Sequence, residues 1–191
     1  MPETTDETLL TMCRRLYGEA LGRGERLLEG LSEEETRTRR HPKSWSIVEC
    51  LDHVSRTNGL YVERLGPVLR AAREQGREGE ADTGRGTLLG RFILSNLRQG
   101  PKAKRVPAPR AFRPADAPSL AEVHASFRQG LKRLDELAGE AEGLPLHRLR
   151  FVTPAMPLAR VNAAEAFEMM ALHTHRHLAQ AERVRGAGPG G

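Results

Sequence analysis

The sequence predicts an all-α fold, a four-helix bundle. Four long segments carry apolar residues at helical spacing with charged residues between them, and strand signals are few. The chain has 191 residues, which suits one domain that buries its own core. We expect residues 1–185 to form this domain and the glycine-rich residues 186–191 to be a flexible tail.

The first two helices are predicted at residues 5–29 and 46–74. Leucine and alanine recur at helical spacing in the first segment, and Gly30 provides a stop. The second segment opens with a capping-box pattern, because Ser46 is followed three residues later by Glu49. Each helix should therefore bury one face against the rest of the bundle.

A long connection over residues 76–118 separates the second helix from the third. Glycines dominate its first part and prolines its second, around a short apolar helix predicted at Leu88–Leu97. The third helix is predicted at residues 119–137 and the fourth at residues 162–185. Between these two helices, residues 149–152 are predicted to be extended.

The charge pattern argues against nucleic acid as a partner. The chain has 30 basic and 25 acidic residues, and the two kinds are mixed along its length. The densest basic run, residues 102–105, has no interleaved aromatic residue to stack on bases. No segment is long and apolar enough to span a membrane, and the acidic residues 1–8 do not form a secretory signal. We therefore expect a cytoplasmic protein with no membrane partner.

The seven histidines carry the strongest chemical signal. His173 and His177 lie four residues apart, so both rings leave one helix face about 6 Å apart along the axis and could grip one metal ion. About 0.25 such pairs are expected by chance, so the pair alone is weak. His175 points to another side of the helix, where its ring is either exposed to solvent or packed against neighbouring residues. His53 borders the apolar stripe of the second helix, where it is either a ligand or a hydrogen-bonded core residue.

Two stretches together resemble the DinB-like superfamily. They are residues 45–54 (WSIVECLDHV) and residues 173–180 (HTHRHLAQ), and the long connection and the capped third helix lie between them in the matching order. This superfamily includes YfiT-type metal-dependent hydrolases and bacterial low-molecular-weight-thiol S-transferases. The resemblance implies a four-helix bundle whose parallel second and third helices are joined by the crossover at residues 76–118, and it suggests a homodimer. It also implies a divalent metal held by three ligands: His53, His173 and His177.

Such a site would make a nucleophile at neutral pH. Three neutral imidazoles leave coordination positions open, where a metal lowers the pKa of bound water or holds a thiol as its thiolate. Imidazole suits zinc, nickel, iron and copper, so the metal stays open. Glu49, one turn before His53, is a candidate proton acceptor, although its capping role is the commoner interpretation. Gln180, one turn after His177, is a candidate substrate contact, and Trp45 reads most simply as a core anchor.

Three functions remain open from the sequence. The first is a metal-dependent enzyme, a thiol S-transferase or a hydrolase, acting on a small molecule such as a low-molecular-weight thiol. The second is a non-catalytic metal-binding or stress-related bundle that acts as a dimerisation or binding module. The third is a helical interaction protein whose histidines bind nothing. For the enzyme, an anionic substrate could meet the basic residues of the crossover: Arg91, Arg98, Lys102, Lys104 and Arg105.

Overall fold

The computed structural model describes residues 7–79, 86–99 and 107–186, and these ranges are mostly helical. The predicted all-α class is therefore confirmed. The helices are α1 (Leu9–Leu28), α2 (Glu33–Arg37), α3 (Ile47–Glu74), α4 (Leu88–Leu97), α5 (Leu120–Glu140) and α6 (Ala163–Gly186). A small sheet joins β1 (Arg150–Val152) to β2 (Arg160–Asn162). Part of the crossover and the tail beyond Gly186 lie outside the described residues.

Helix α1 starts later than predicted. The hydroxyl of Thr8 accepts a hydrogen bond from the backbone N–H of Thr11 at 3.2 Å, so Thr8 caps the helix and Leu9 is its first residue. Glu7 and Thr8 therefore lie outside a helix that was predicted to include them. The predicted stop is confirmed: Gly30 has a φ of 72°, a left-handed conformation that favours glycine just after a helix.

The capping box of α3 is confirmed. Ser46 N–H donates to the Glu49 carboxylate at 2.8 Å, and Glu49 N–H donates to the Ser46 hydroxyl at 3.4 Å. The helix then continues past Pro67 to Glu74. Helix α2 was not predicted, although Ser32 and Glu35 form the same kind of box at its start.

The predicted extended segment at residues 149–152 becomes strand β1. It pairs antiparallel with β2, and Phe151 lies opposite Val161. Both of these side chains are buried, while Val152 is exposed. Ala163, the first residue of α6, donates its N–H to the Leu149 carbonyl at 2.9 Å, so the hairpin is joined to the start of that helix.

The four long helices surround a common core. Helices α1 and α3 each pack against both α5 and α6, and the short α4 packs against α6. The largest fully buried side chains come from all four long helices and the segment after α5: Tyr17, Ile47, Leu51, Leu65, Leu69, Phe127, Leu131, Leu134, Leu137, Leu144, Leu146 and Phe167. In the described ranges, no helix combines the length and apolar character needed to cross a membrane.

Contact between α1 and α5 depends on the absence of a side chain at Gly24. A Cβ at Gly24 would overlap the ring of Phe127, which is itself buried, whereas a Cβ at Gly18 in the same helix would meet nothing within 4 Å. We expect Gly24→Ala to lower the free energy of unfolding by about 1–3 kcal/mol because the ring must move. The matched control Gly18→Ala should raise it by about 0.5–1 kcal/mol.

Urea unfolding followed by circular dichroism measures both values. Equal stability of the two variants would contradict this account of the α1–α5 contact.

Candidate metal centre

Two helices bring the three predicted histidines together. His53 comes from the second turn of α3, and His173 and His177 come from the middle of α6. One ring nitrogen of each residue lies within 4.8 Å of the corresponding atoms of the other two. The Nε2 atoms of His53 and His173 are 3.1 Å apart. His53 is buried, and the other two histidines are half-buried.

The spacing within α6 explains why only two of its three histidines reach the site. Four residues make slightly more than one turn, so His173 and His177 share a face. His175 lies on another side, where its Nε2 donates to the Leu16 carbonyl at 2.9 Å. Its Nδ1 accepts from the Arg23 guanidinium at 2.8 Å. His175 therefore packs against α1.

All three rings are held in the neutral form. Burial lowers the pKa of His53, and it lowers the pKa of His173 well below the ordinary value. Burial, together with electrostatic repulsion from His53 and Arg176, lowers the pKa of His177 to about 3. A neutral imidazole keeps the lone pair that a metal needs, so the electrostatics favour metal binding over protonation.

Hydrogen bonds at the outer ring nitrogen, Nδ1, orient two of the three rings. His53 Nδ1 donates to the backbone carbonyl of Phe112 at 2.6 Å. His177 Nδ1 lies 3.1 Å from the Gln180 side-chain oxygen. Within the described part of the chain, His173 Nδ1 is buried without a hydrogen-bond partner. Metal-binding histidines typically have their second ring nitrogen hydrogen-bonded, as His53 and His177 do here.

The distance between the candidate ligand atoms of His53 and His173 fits a shared metal ion. Two imidazole nitrogens that are each about 2.05 Å from one ion lie about 2.9 Å apart at a right angle and about 3.3 Å apart at the tetrahedral angle. The 3.1 Å between the Nε2 atoms of His53 and His173 falls between these values. Because the Phe112 carbonyl takes the His53 proton at Nδ1, the His53 Nε2 atom carries a lone pair.

Trp45 covers one side of the histidine cluster. Its ring centroid is 4.6 Å from that of His53 and 5.7 Å from that of His177, and the side chain is half-buried. Trp45 packs against the core, as the sequence suggested, but it also contacts the candidate ligands. Helical spacing could not reveal this contact, because Trp45 precedes α3 and belongs to the loop before it.

A comparison with protein families identifies the family. Residues 17–181 match the family model of the DinB superfamily, and this range covers α3 and most of α6. The chain belongs to the DinB superfamily. The resemblance inferred from residues 45–54 and 173–180 is thereby confirmed. No curated protein and no solved structure gives a significant match to the chain.

In this DinB-superfamily chain the carboxylate of Glu49 is engaged by neighbours. Arg39 donates to both of its oxygens, one of them at 2.9 Å, and Ser46 N–H donates at 2.8 Å. Burial alone would raise the Glu49 pKa, but the bonds from Arg39 and Ser46 outweigh it and hold the pKa below its usual value. These contacts describe a structural role, and the catalytic role of Glu49 stays a prediction.

Two neighbours of His53 are also occupied or inert. Asp52 accepts from the Arg56 guanidinium at 2.9 Å and from the Ala115 N–H at 2.7 Å. Cys50 is wholly buried, and burial followed by the charge of Glu49 raises its pKa to about 12. At neutral pH Cys50 is therefore a thiol, which is a poor nucleophile and a poor metal ligand.

We expect Glu49→Ala to reduce the free energy of unfolding by about 1–2 kcal/mol, because it removes the carboxylate half of the α3 capping box and the partner of Arg39. Glu49→Gln keeps an oxygen for the Ser46 N–H and should cost less. The control Glu35→Ala removes the equivalent carboxylate from the capping box of the short, exposed α2, where none of the described arginines bonds to it, and should cost less than Glu49→Ala.

Urea unfolding compares these variants. A loss for Glu49→Ala no larger than that for Glu35→Ala would show that the Arg39 contact adds no stability.

Proposed function

We propose that the chain is a metal-dependent enzyme of the DinB type, in which three histidines hold a divalent metal that activates a thiol or a water molecule. The observation that carries this proposal is the convergence of three neutral imidazoles from α3 and α6. Zinc, nickel and iron all accept this donor set. We also propose that α1, α3, α5 and α6 form a four-helix bundle in which the chain crosses over between α3 and α5.

The chemistry follows from the charge of the donor set. Because the three ligands are neutral, they leave the full positive charge of a divalent ion uncompensated. When bound, such an ion lowers the pKa of a coordinated thiol or water enough to make a nucleophile at neutral pH. The ring of Trp45 shields His53 and His177 on one side and would restrict access of water from that direction.

The nucleophile would come from a bound molecule and not from the protein's own cysteines. Cys50 and Cys13 are both buried, and the raised pKa of Cys50 keeps it protonated. An external thiol or water at the metal is therefore the better candidate. A small-molecule thiol as co-substrate and a homodimer remain proposals that rest on the resemblance, and a cytoplasmic location remains an expectation from the sequence.

A non-catalytic metal-binding module is the second candidate, and one observation favours it. Glu49 is the candidate proton acceptor identified from the sequence. Both of its carboxylate oxygens already accept hydrogen bonds from Arg39 and Ser46. A general base must reach the proton that it removes. If Glu49 stays in these contacts, the metal site lacks its nominated base and would serve binding or dimerisation.

We expect the tag-free protein to bind about one equivalent of zinc, nickel or iron per chain, and the double variant His53→Ala/His177→Ala to lose it, because one remaining imidazole holds a metal weakly. Inductively coupled plasma mass spectrometry after reconstitution measures the content. The control His41→Ala/His124→Ala removes two histidines that lie outside the cluster. Wild-type protein that stays free of all three metals would refute the site.

We expect the metal-loaded protein to accelerate the conjugation of a low-molecular-weight thiol with an electrophile such as 1-chloro-2,4-dinitrobenzene, followed by absorbance. The rate should fall to background in His53→Ala/His177→Ala. Thiol-independent hydrolysis of p-nitrophenyl acetate would instead indicate a hydrolase. If protein with a full metal complement accelerates neither reaction, the binding module becomes the better assignment.

A further inference from the structure

We propose that Gln180 is a positioning residue that selects the metal-binding tautomer of His177. This inference rests on the proposed metal site and changes the role that the sequence suggested for Gln180, which was contact with substrate. Gln180 lies three residues after His177 on α6, and its side-chain oxygen is 3.1 Å from His177 Nδ1. Residues at this spacing are neighbours on a helix surface.

The direction of this hydrogen bond determines which nitrogen can bind a metal. An amide oxygen only accepts, so His177 Nδ1 must donate its proton. A neutral imidazole has a single N–H, and a histidine must be neutral to offer a metal its lone pair. The lone pair is therefore on Nε2. The opposite tautomer would place the proton on Nε2 and leave two acceptors facing each other across 3.1 Å.

The three ligands differ in how their tautomers are held. The backbone carbonyl of Phe112 holds His53, and a side-chain substitution cannot remove that acceptor. His173 Nδ1 has no hydrogen-bond partner in the described ranges. Gln180 is thus the one acceptor at an outer nitrogen, among the described residues, that mutation can remove without touching a ligand.

The bond to His177 commits the Gln180 oxygen to a candidate ligand. A substrate contact of Gln180 would use its amide N–H groups or the second lone pair of that oxygen. Partners that orient metal-binding histidines typically change metal affinity by about 10–100-fold when they are removed. Gln180 should therefore affect the metal before it affects any substrate.

The test is the zinc dissociation constant of the full chain, measured by competition with a chromophoric chelator. We expect Gln180→Leu, which is similar in size but accepts no hydrogen bond, to raise the constant about 10–100-fold. Gln180→Glu keeps an acceptor and should bind zinc at least as tightly as the wild type. The control Gln129→Leu changes an exposed glutamine of α5 and should leave the constant unchanged.

A second readout reports the tautomer directly in the metal-free protein. Long-range ¹H–¹⁵N correlation spectra distinguish an imidazole protonated at Nδ1 from one protonated at Nε2. We expect wild-type and Gln180→Glu protein to show His177 protonated at Nδ1, and Gln180→Leu to lose this preference. If Gln180 had only a structural role, Gln180→Leu would change thermal stability and leave the His177 tautomer as in the wild type. Gln180→Glu would then have no lost tautomer preference to restore.

The outcomes separate this inference from the proposed function. If wild-type protein binds no zinc, the metal site itself fails. If wild-type protein binds zinc and Gln180→Leu binds it equally well, the site stands and the role of Gln180 is refuted. A His177 ring protonated at Nε2 in the wild type would also refute it, whatever the affinities.

Discussion

The structure depends on keeping three imidazole rings uncharged where α3 meets α6. Burial lowers the pKa of each ring, so His53, His173 and His177 can be packed together without the repulsion that three imidazolium ions would suffer. The cost of burying their polar atoms is reduced at two outer nitrogens, where Phe112 and Gln180 accept hydrogen bonds. The unpaired Nδ1 of His173 is the remaining cost, and it is the kind of exception that a functional site can explain.

The end of the crossover is part of the site's support. Phe112 is buried, and its carbonyl accepts a hydrogen bond from His53. Asp52, which precedes His53 in α3, accepts a hydrogen bond from the backbone N–H of Ala115. Two consecutive residues of α3 therefore bind one stretch of the connection at two points. This arrangement links the position of a candidate ligand to the path of the chain between α4 and α5.

Sequence reasoning predicted what depends on periodicity and caps. Ser46 and Glu49 marked the start of α3, and the spacing of His173 and His177 placed both rings on one face. His53 joined them only through the family resemblance, because spacing cannot show which helices become neighbours. Helix α2 was not predicted because a helix of five residues is too short to show a periodic apolar pattern. The contacts of Trp45 and Phe112 arise where loops fold back, and no local pattern encodes them.

The packing of α6 explains why the histidines of the HTHRH segment face different neighbours. Near its start, Glu165 accepts the Asn162 N–H at 3.0 Å and the Thr87 hydroxyl at 2.9 Å, which ties α4 to this helix. His175 faces α1. His173 and His177, on either side of His175 in the sequence, face His53 of α3. A helix covered on several sides cannot carry a single apolar stripe, so its polar residues must each find a partner. His173 lacks one at Nδ1 among the described residues, while its Nε2 lies 3.1 Å from the Nε2 of His53 and is the atom that would bind a metal.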